Sequence, residues 1–222
     1  PTVGTAVTVG AAGLPAGIDF DLAPGGVISG RVTASAGGLG IANARVRVYT
    51  VAGSSLGNAY TDSNGDYTFS IGLPSGDYVV LVYQASGFIG EIYNDKVCIN
   101  ARCDRSTGTP VSVTAGTQTT GIDFSLDAGG LVSGRVTKAS DGTGVDNVTV
   151  DFQDSGGNYL FSASTDSSGN YLTDVGLPTG SYRAVTYNSA GLVDELYNNI
   201  SCPGGNCDIA SGSSISVTQG NT

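Results

Sequence analysis

Residues 26–33 read Gly-Val-Ile-Ser-Gly-Arg-Val-Thr. The polar side chains at 29, 31 and 33 alternate with small or apolar residues at 28, 30 and 32, a pattern typical of a half-buried β-strand. Five of these residues, 29–33, recur unchanged at 133–137. The tetrapeptide Gly-Ile-Asp-Phe at 17–20 recurs at 121–124, so position 17 maps to position 121 with an offset of 104 residues and no gap. The chain therefore contains two copies of one strand-forming unit.

Composition restricts the class of protein. The chain has 222 residues with 35 Gly and without Met, Trp or His, a profile that favours strands and tight turns. Its 9 basic and 19 acidic residues give a net charge of −10, which argues against a nucleic-acid partner. We predict no membrane span, because no apolar run is long enough. The chain is expected to be a mature or excised piece of a longer secreted or cell-surface precursor.

Short alternating runs separated by turn residues predict about seven strands in each copy and almost no helix. Asn64-Gly65 predicts the tip of a hairpin, and residues 77–83 predict a central strand. We therefore expect an all-β chain of two tandem Ig-like or prealbumin-like seven-stranded β-sandwiches with an extra N-terminal strand. The expected division is an N-terminal donor segment at 1–24, one sandwich at 25–128 and a second at 129–222.

Four motifs of the first copy occur in the order found in a known family. They are, in chain order, Gly26 to Thr33, Ala44 to Tyr49, Thr61-Asp62-x-x-Gly65-x-Tyr67-x-Phe69 and Leu73-Pro74-x-Gly76-x-Tyr78-x-Val80. This series resembles the carboxypeptidase regulatory-like repeat, which is related to the B-type repeats of Gram-positive surface proteins. The second copy fits too, with Leu172-Thr173 in place of Thr68-Phe69. The resemblance implies a prealbumin-like sandwich and a structural, non-enzymatic module of secreted or surface proteins.

The four cysteines form two local pairs, Cys98 with Cys103 and Cys202 with Cys207. Each pair encloses a turn-like loop of four residues, which favours two disulfides and an oxidising compartment. Zinc is disfavoured because the chain has no histidine and the spacing is wrong for a zinc knuckle. Free thiols remain the other alternative.

Residues for catalysis or metal binding are scarce. Without histidine a hydroxyl nucleophile lacks its usual base, so we predict no enzyme activity and no cofactor. The series Asp62, Asn64, Asp66 resembles half of an oxygen-rich calcium loop and is a weak calcium candidate. The second copy has Asn170 at the position of Asp66, and no suitably placed glutamate follows. We favour the alternative that Asp62 caps the backbone of its turn.

The strongest functional signal is a closing-strand motif that occurs twice, once before and once after the first copy, whereas none follows the second copy. In the first copy Ile122, Phe124 and Leu126 alternate on one face and are expected to close the sandwich. The second copy shows no such segment, whereas Ile18, Phe20 and Leu22 precede the first copy. We interpret residues 17–22 as a strand that completes the second sandwich of a neighbouring copy, producing a helical homopolymer.

Two other functions stay open. The chain could be a slice of a long covalent surface or adhesin repeat protein, in which later residues supply the same strand. It could also be a carbohydrate-binding accessory module, because the acidic and aromatic series Glu91-Ile92-Tyr93-Asn94 recurs at 195–198. In that hypothesis surface glycans are candidate partners. For a filament, cell adhesion, biofilm scaffolding and surface coating fit the sequence equally well.

Overall fold

The computed structural model describes Val7 and residues 17–221. Most of the expected donor segment, residues 1–6 and 8–16, lies outside the described residues, as does Thr222. We call residues 25–128 the first repeat and residues 129–221 the second repeat. In the described part of the chain no helix is long and apolar enough to cross a bilayer.

The first repeat is a sandwich of two sheets. Its strands are β1 (Gly26–Ala34), β2 (Arg45–Thr50), β3 (Ser55–Tyr60), β4 (Asp66–Leu73), β5 (Gly76–Tyr83), β6 (Glu91–Ile92), β7 (Lys96–Val97), β8 (Val111–Val113), β9 (Gln118–Thr119) and β10 (Phe124–Leu126). One sheet has the order β10-β1-β4, with β9 also pairing with β1. The other has the order β3-β2-β5-β6-β7, with β8 also pairing with β5. Strands β9 and β10 run parallel to β1, and the other pairs of this repeat are antiparallel.

The second repeat has the same plan with a smaller first sheet. Its strands are β11 (Ser133–Arg135), β12 (Thr149–Gln153), β13 (Tyr159–Ser164), β14 (Asn170–Leu172), β15 (Gly180–Tyr187), β16 (Glu195–Leu196), β17 (Ile200–Ser201) and β18 (Ile215–Val217). The larger sheet has the order β13-β12-β15-β16-β17, with β18 also on β15. The smaller sheet is only β11-β14. The all-β fold class is thus confirmed, although short two-residue strands raise the strand number of the first repeat above seven.

The turn at residues 61–66 differs from the predicted hairpin. Strands β3 and β4 on either side of it belong to different sheets, so the turn is a corner between sheets. Asp62 Oδ1 accepts the N–H groups of Asn64 and Asp66, and Gly65 has φ +85°. The Asn-Gly pair forms the tight turn as predicted. The apolar side chains of β4, which follows the turn, face β3 across the core, whereas a hairpin would place β4 next to β3 in one sheet.

Each repeat has its own hydrophobic core. In the first repeat Ile28 and Val32 from one sheet face Val46 and Val80 from the other, all fully buried. The central strand β5 is buried on both faces, because Val79 and Leu81 on its outer face lie under the Cys98–Cys103 loop. The second core is built around Phe152 and Leu177.

The predicted extra N-terminal strand is not paired in the single chain. A strand exists only where a second backbone supplies hydrogen bonds. Residues 17–25 have no such pairing within the described chain, and β1 begins only at Gly26.

Candidate interface: an open strand edge and groove in the second repeat

The first repeat shows what its closing strand contributes. Strand β10 lies parallel to β1, with Phe124 opposite Val32 and Leu126 opposite Ala34. Ile122, Phe124 and Leu126 are at most 6% exposed and belong to the core cluster of this repeat. Burying three side chains of this kind is worth about 1.5–3 kcal/mol each, which is a large part of the roughly 5–15 kcal/mol stability of a domain.

Polar contacts fix the position of this strand along β1. The Arg31 backbone N–H donates to Asp123 Oδ1 over 2.8 Å, and the Tyr67 hydroxyl donates to the Ile122 carbonyl over 2.6 Å. Burial, and secondarily the charge of Asp123, raises the pKa of Tyr67, so its hydroxyl keeps its proton. A Cβ on Gly30 would collide with the Ile122 carbonyl, so the close approach of the two backbones requires glycine there.

The corresponding region of the second repeat is a groove of about 350 Å³. Its apolar lining includes Val136, Val150, Tyr171, Ala184, Leu196 and Tyr197. Among the described residues β11 pairs only with β14, so the edge of β11 that corresponds to the β10 side of β1 has no neighbour. An unpaired edge beside an apolar groove is suited to accept an additional strand.

Side chains that the closing strand covers in the first repeat are more exposed at the corresponding positions of the second repeat. Tyr93 packs edge-on against Phe124 with 6.0 Å between ring centroids, whereas its counterpart Tyr197 is 54% exposed. Val32 is fully buried, whereas its counterpart Val136 is only half-buried. The groove of the second repeat therefore corresponds in position to the site that the closing strand fills in the first repeat.

The N-terminal segment carries the matching side chains on its surface. Ile18, Phe20 and Leu22 are 48%, 84% and 85% exposed. Gly17 has φ +77° and its counterpart Gly121 has φ +75°, so both copies of the tetrapeptide begin with the same left-handed residue. The segment thus shares the sequence and the initial backbone conformation of the strand that closes the first repeat, and its apolar side chains are exposed.

A buried carboxyl accompanies the closed sandwich. Glu91 is 8% exposed, and burial, followed by the charges of Asp95 and Asp127, raises the pKa of Glu91 to about 7. Its counterpart Glu195 lines the groove of the second repeat and is exposed.

The other predicted site residues have structural roles. Asp62 Oδ1 is occupied by the two backbone N–H groups of its turn, and Asp66 lies 3.7 Å from the Arg31 guanidinium. Residues 17–221 contain no cluster of three or more histidine, cysteine or acidic side chains that could hold a metal ion.

The four cysteines form two disulfides, Cys98 with Cys103 and Cys202 with Cys207. The first bond holds a loop that covers the outer face of β5.

The junction between the repeats was not predicted from the sequence. The backbone at Gly87 and Phe88 lies against the second repeat, where the Gly87 N–H donates to the Asp174 carbonyl over 2.8 Å and the Gly176 N–H donates to the Phe88 carbonyl over 3.2 Å. A Cβ on Gly176 would lie 2.6 Å from the Phe88 carbonyl carbon. Ile89 is 2% exposed. Comparison of 87–89 with 191–193, which are also apolar, could have located this contact.

The first disulfide loop reaches the second repeat as well. The Asn100 side-chain amide donates to the Leu160 carbonyl over 3.2 Å, and the Arg102 guanidinium lies 4.4 Å from the centre of the Tyr159 ring. Ile99 packs against the second core cluster. The disulfide-bonded loop therefore packs on the outer face of β5 and also contacts the second repeat at the junction.

A surface protein of known sequence is similar to part of this chain. Serine-aspartate repeat-containing protein F of Staphylococcus epidermidis is 32% identical over an alignment of 155 residues, and the match covers 64% of this chain and 9% of that protein. The chain thus spans less than a tenth of the length of this relative.

Three solved structures are similar at low identity. The minor pilin of Streptococcus agalactiae has a TM-score of 0.39 at 12% identity, covering 88% of this chain and 92% of that one. The shaft pilin of Lactobacillus rhamnosus GG has a TM-score of 0.35 at 10% identity, covering 90% and 95%. The Bacillus anthracis TIE protein has a TM-score of 0.36 at 16% identity, covering 90% and 32%.

The first repeat also matches a family. The model of the carboxypeptidase regulatory-like domain covers residues 27–127, from the start of β1 to the end of the closing strand. The resemblance read from the four motifs is thereby confirmed. Residues 27–127 belong to the carboxypeptidase regulatory-like domain family.

Proposed function

We propose that this protein is the structural subunit of an extracellular filament, in which residues 17–22 of one copy complete the second repeat of the next. The observation that carries the proposal is the identity of residues 17–20 with residues 121–124, whose side chains close the first repeat. The groove of the second repeat and the exposed apolar residues of the segment support it. The two disulfides favour an oxidising, extracellular location.

The first repeat supplies the register of the proposed contact. At the offset of 104 residues, Phe20 lies opposite Val136 as Phe124 lies opposite Val32, and Leu22 lies opposite Lys138. Asp19 accepts the Arg135 backbone N–H as Asp123 accepts that of Arg31. Main-chain pairing supplies affinity, and alternate side chains in the groove fix the register.

The proposed contact joins two different surfaces, since one copy donates and the other accepts. Such a head-to-tail contact repeats without limit unless the rotation between copies closes a ring. An open helical filament is the ordinary result, and each copy within it uses both surfaces.

A cysteine pair tests both the contact and its register. Thr33 and Ser125 are neighbours across β1 and β10, so Thr137 and Asp21 of successive copies are expected to be neighbours. Neighbouring positions on paired strands lie close enough for a disulfide. Oxidation of the variant D21C/T137C should give a ladder of covalent oligomers on a non-reducing gel.

The matched control is D21C/L172C, because the counterpart of Leu172, Thr68, lies on β4 on the far side of β1 from β10. It should give no ladder. A crosslink confined to single chains, or no crosslink in D21C/T137C, would contradict the proposal.

The same groove is filled by a covalently continuous strand if the protein is a stretch of a longer repeat chain. The mass of material from its natural source, denatured and reduced, separates the two arrangements. Separate subunits give 22.2 kDa, and a longer chain gives a larger mass.

A further inference from the structure

We infer that successive copies also meet through a second surface, formed by Leu192 and Val193 of one copy and by Ile71 and Gly72 of the next. This inference rests on the proposed strand donation, which brings these residues together. It concerns a rigid contact between folded repeats in addition to the inserted strand.

The junction within one chain is the template for this contact. Residues 87–89 of the first repeat lie between the linker 127–129 and residues 174–176 of the second repeat. The Ile89 N–H donates to the Asp127 carbonyl, and the Gly129 N–H donates to the Gly87 carbonyl. Strand β10 therefore leads directly into a fixed arrangement of the two repeats.

The same elements recur at the free ends of the molecule. At the offset of 104 residues, 191–193 correspond to 87–89, 23–25 correspond to 127–129, and 70–72 correspond to 174–176. If residues 17–22 of one copy occupy the groove of another as β10 occupies its site, residues 23–25 and 70–72 arrive beside residues 191–193. The intrachain junction is then repeated between chains.

Exposure shows which side chains lack the cover that their counterparts have. Val193 is 61% exposed whereas Ile89 is 2% exposed, and Ile71 is 50% exposed whereas Val175 is 8% exposed. Leu192 is also exposed, at 39%. Exposed apolar side chains thus occupy both ends at positions whose counterparts in the junction segments are buried.

The backbone at both ends is already shaped for the contact. Gly191 has φ +75° and Gly87 has φ +79°, so the two loops share the same left-handed residue. A Cβ on Gly176 would strike the Phe88 backbone, whereas a Cβ on Gly72 lies near only Gly25, 3.3 Å from its Cα. Gly72 therefore leaves open, in the single chain, the space that Phe88 occupies at Gly176.

The disulfide loops contribute less between chains than within one. The Cys202–Cys207 loop has Asn206 where the first loop has Arg102, and β3 has Ser55 where β13 has Tyr159. The cation–π contact of the intrachain junction is therefore not repeated. This difference places the proposed contact on the apolar residues.

Charge substitutions on both faces test the inference. The variants I71K and V193E each place a charge in the contact, and each should raise the critical concentration for filament formation about tenfold, as expected when a buried apolar contact is lost. The double variant I71K/V193E places opposite charges at the contact and should recover part of that loss. Filaments of the single variants should also bend more, as measured by persistence length in electron micrographs.

The matched control is L172E, since Leu172 is 58% exposed and its counterpart Thr68 stays exposed in the closed repeat. It should leave both quantities unchanged. Combining I71K or V193E with D21C/T137C keeps the two proposals distinguishable. If the covalent ladder forms in the unaltered background but I71K and V193E leave critical concentration and stiffness unchanged, the second surface is refuted and strand donation stands. If no ladder forms in any background, strand donation itself is refuted.

Discussion

Single residues decide how close the closing strand can lie to β1. Because Gly30 has no Cβ, the Ile122 carbonyl can lie beside its backbone. The Tyr67 hydroxyl donates a hydrogen bond to the same carbonyl. In the second repeat the hydroxyl oxygen of Tyr171 lies 2.5 Å from where a Cβ on Gly134 would be. The ring tip of Tyr171 thus lies beside Gly134, the counterpart of the glycine that admits the closing strand in the first repeat.

Glu91 is expected to make the first repeat sensitive to pH. Its pKa is raised from 4.5 to about 7 by burial and by Asp95 and Asp127, and no hydrogen-bond partner for its Oε2 lies within the described residues. The protonated form is therefore favoured by folding. The stabilisation of the folded state by the protonated Glu91 carboxyl is complete below pH 4.5 and is lost as the pH rises through about 7. The free energy of unfolding should fall by on the order of 2 kcal/mol across this interval, a value reduced for partial solvent access.

The variant E91Q should abolish this fall, whereas E195Q, which alters the exposed counterpart, should retain it. Calorimetric unfolding at pH 4.5 and pH 8 measures both. Asp104, Asp141 and Asp166, whose pKa values are lowered by hydrogen bonds, titrate below this interval and do not interfere. Equal pH dependence in the native protein and in E91Q would contradict the assignment.

At the scale of elements, the same tetrapeptide has two environments. At 121–124 it leads into β10 and its apolar side chains are buried, whereas at 17–20 it forms no strand and they are exposed. Local sequence cannot account for this difference, because the four residues are identical. The presence of an adjacent strand edge and an apolar groove accounts for it.

Truncating the two phenylalanines of this motif measures the difference. F124A removes a ring that is 3% exposed and should destabilise the first repeat by about 3–5 kcal/mol. F20A removes a ring that is 84% exposed and should change monomer stability by less than about 0.5 kcal/mol. Thermal unfolding of dilute protein measures both. Equal losses would mean that residue 20 packs within its own chain, against strand donation.

At the scale of the whole molecule, one end carries residues 17–22, the proposed donor segment, and the other carries the groove of the second repeat, the proposed acceptor. The two functions are separable by mutation. F20D places a charge on the donated strand, and G134A places a methyl group where the incoming carbonyl must lie, as the clash at Gly30 indicates. The Tyr171 ring tip can turn aside to accommodate that methyl group, so G134A is expected to fold.

Each variant alone should remain monomeric, since F20D cannot donate and G134A cannot accept. Mixed in equal amounts, G134A donates to F20D and growth stops at two chains, about 44 kDa, or twice 22.2 kDa. Light scattering after size exclusion measures the mass. Long polymers from either variant alone, or from the mixture, would rule out the proposed polarity.

The all-β class, the offset of 104 residues, the central strand 77–83 and the motifs of the family can be read from the sequence, because alternation and turn residues are local properties of the chain. The packed structure was needed to show that residues 61–66 turn a corner between sheets and that residues 87–89 meet residues 174–176. It also placed the groove between β11 and Tyr197. These features depend on which surfaces lie beside one another after packing, and that choice is made by burial of side chains distant in sequence.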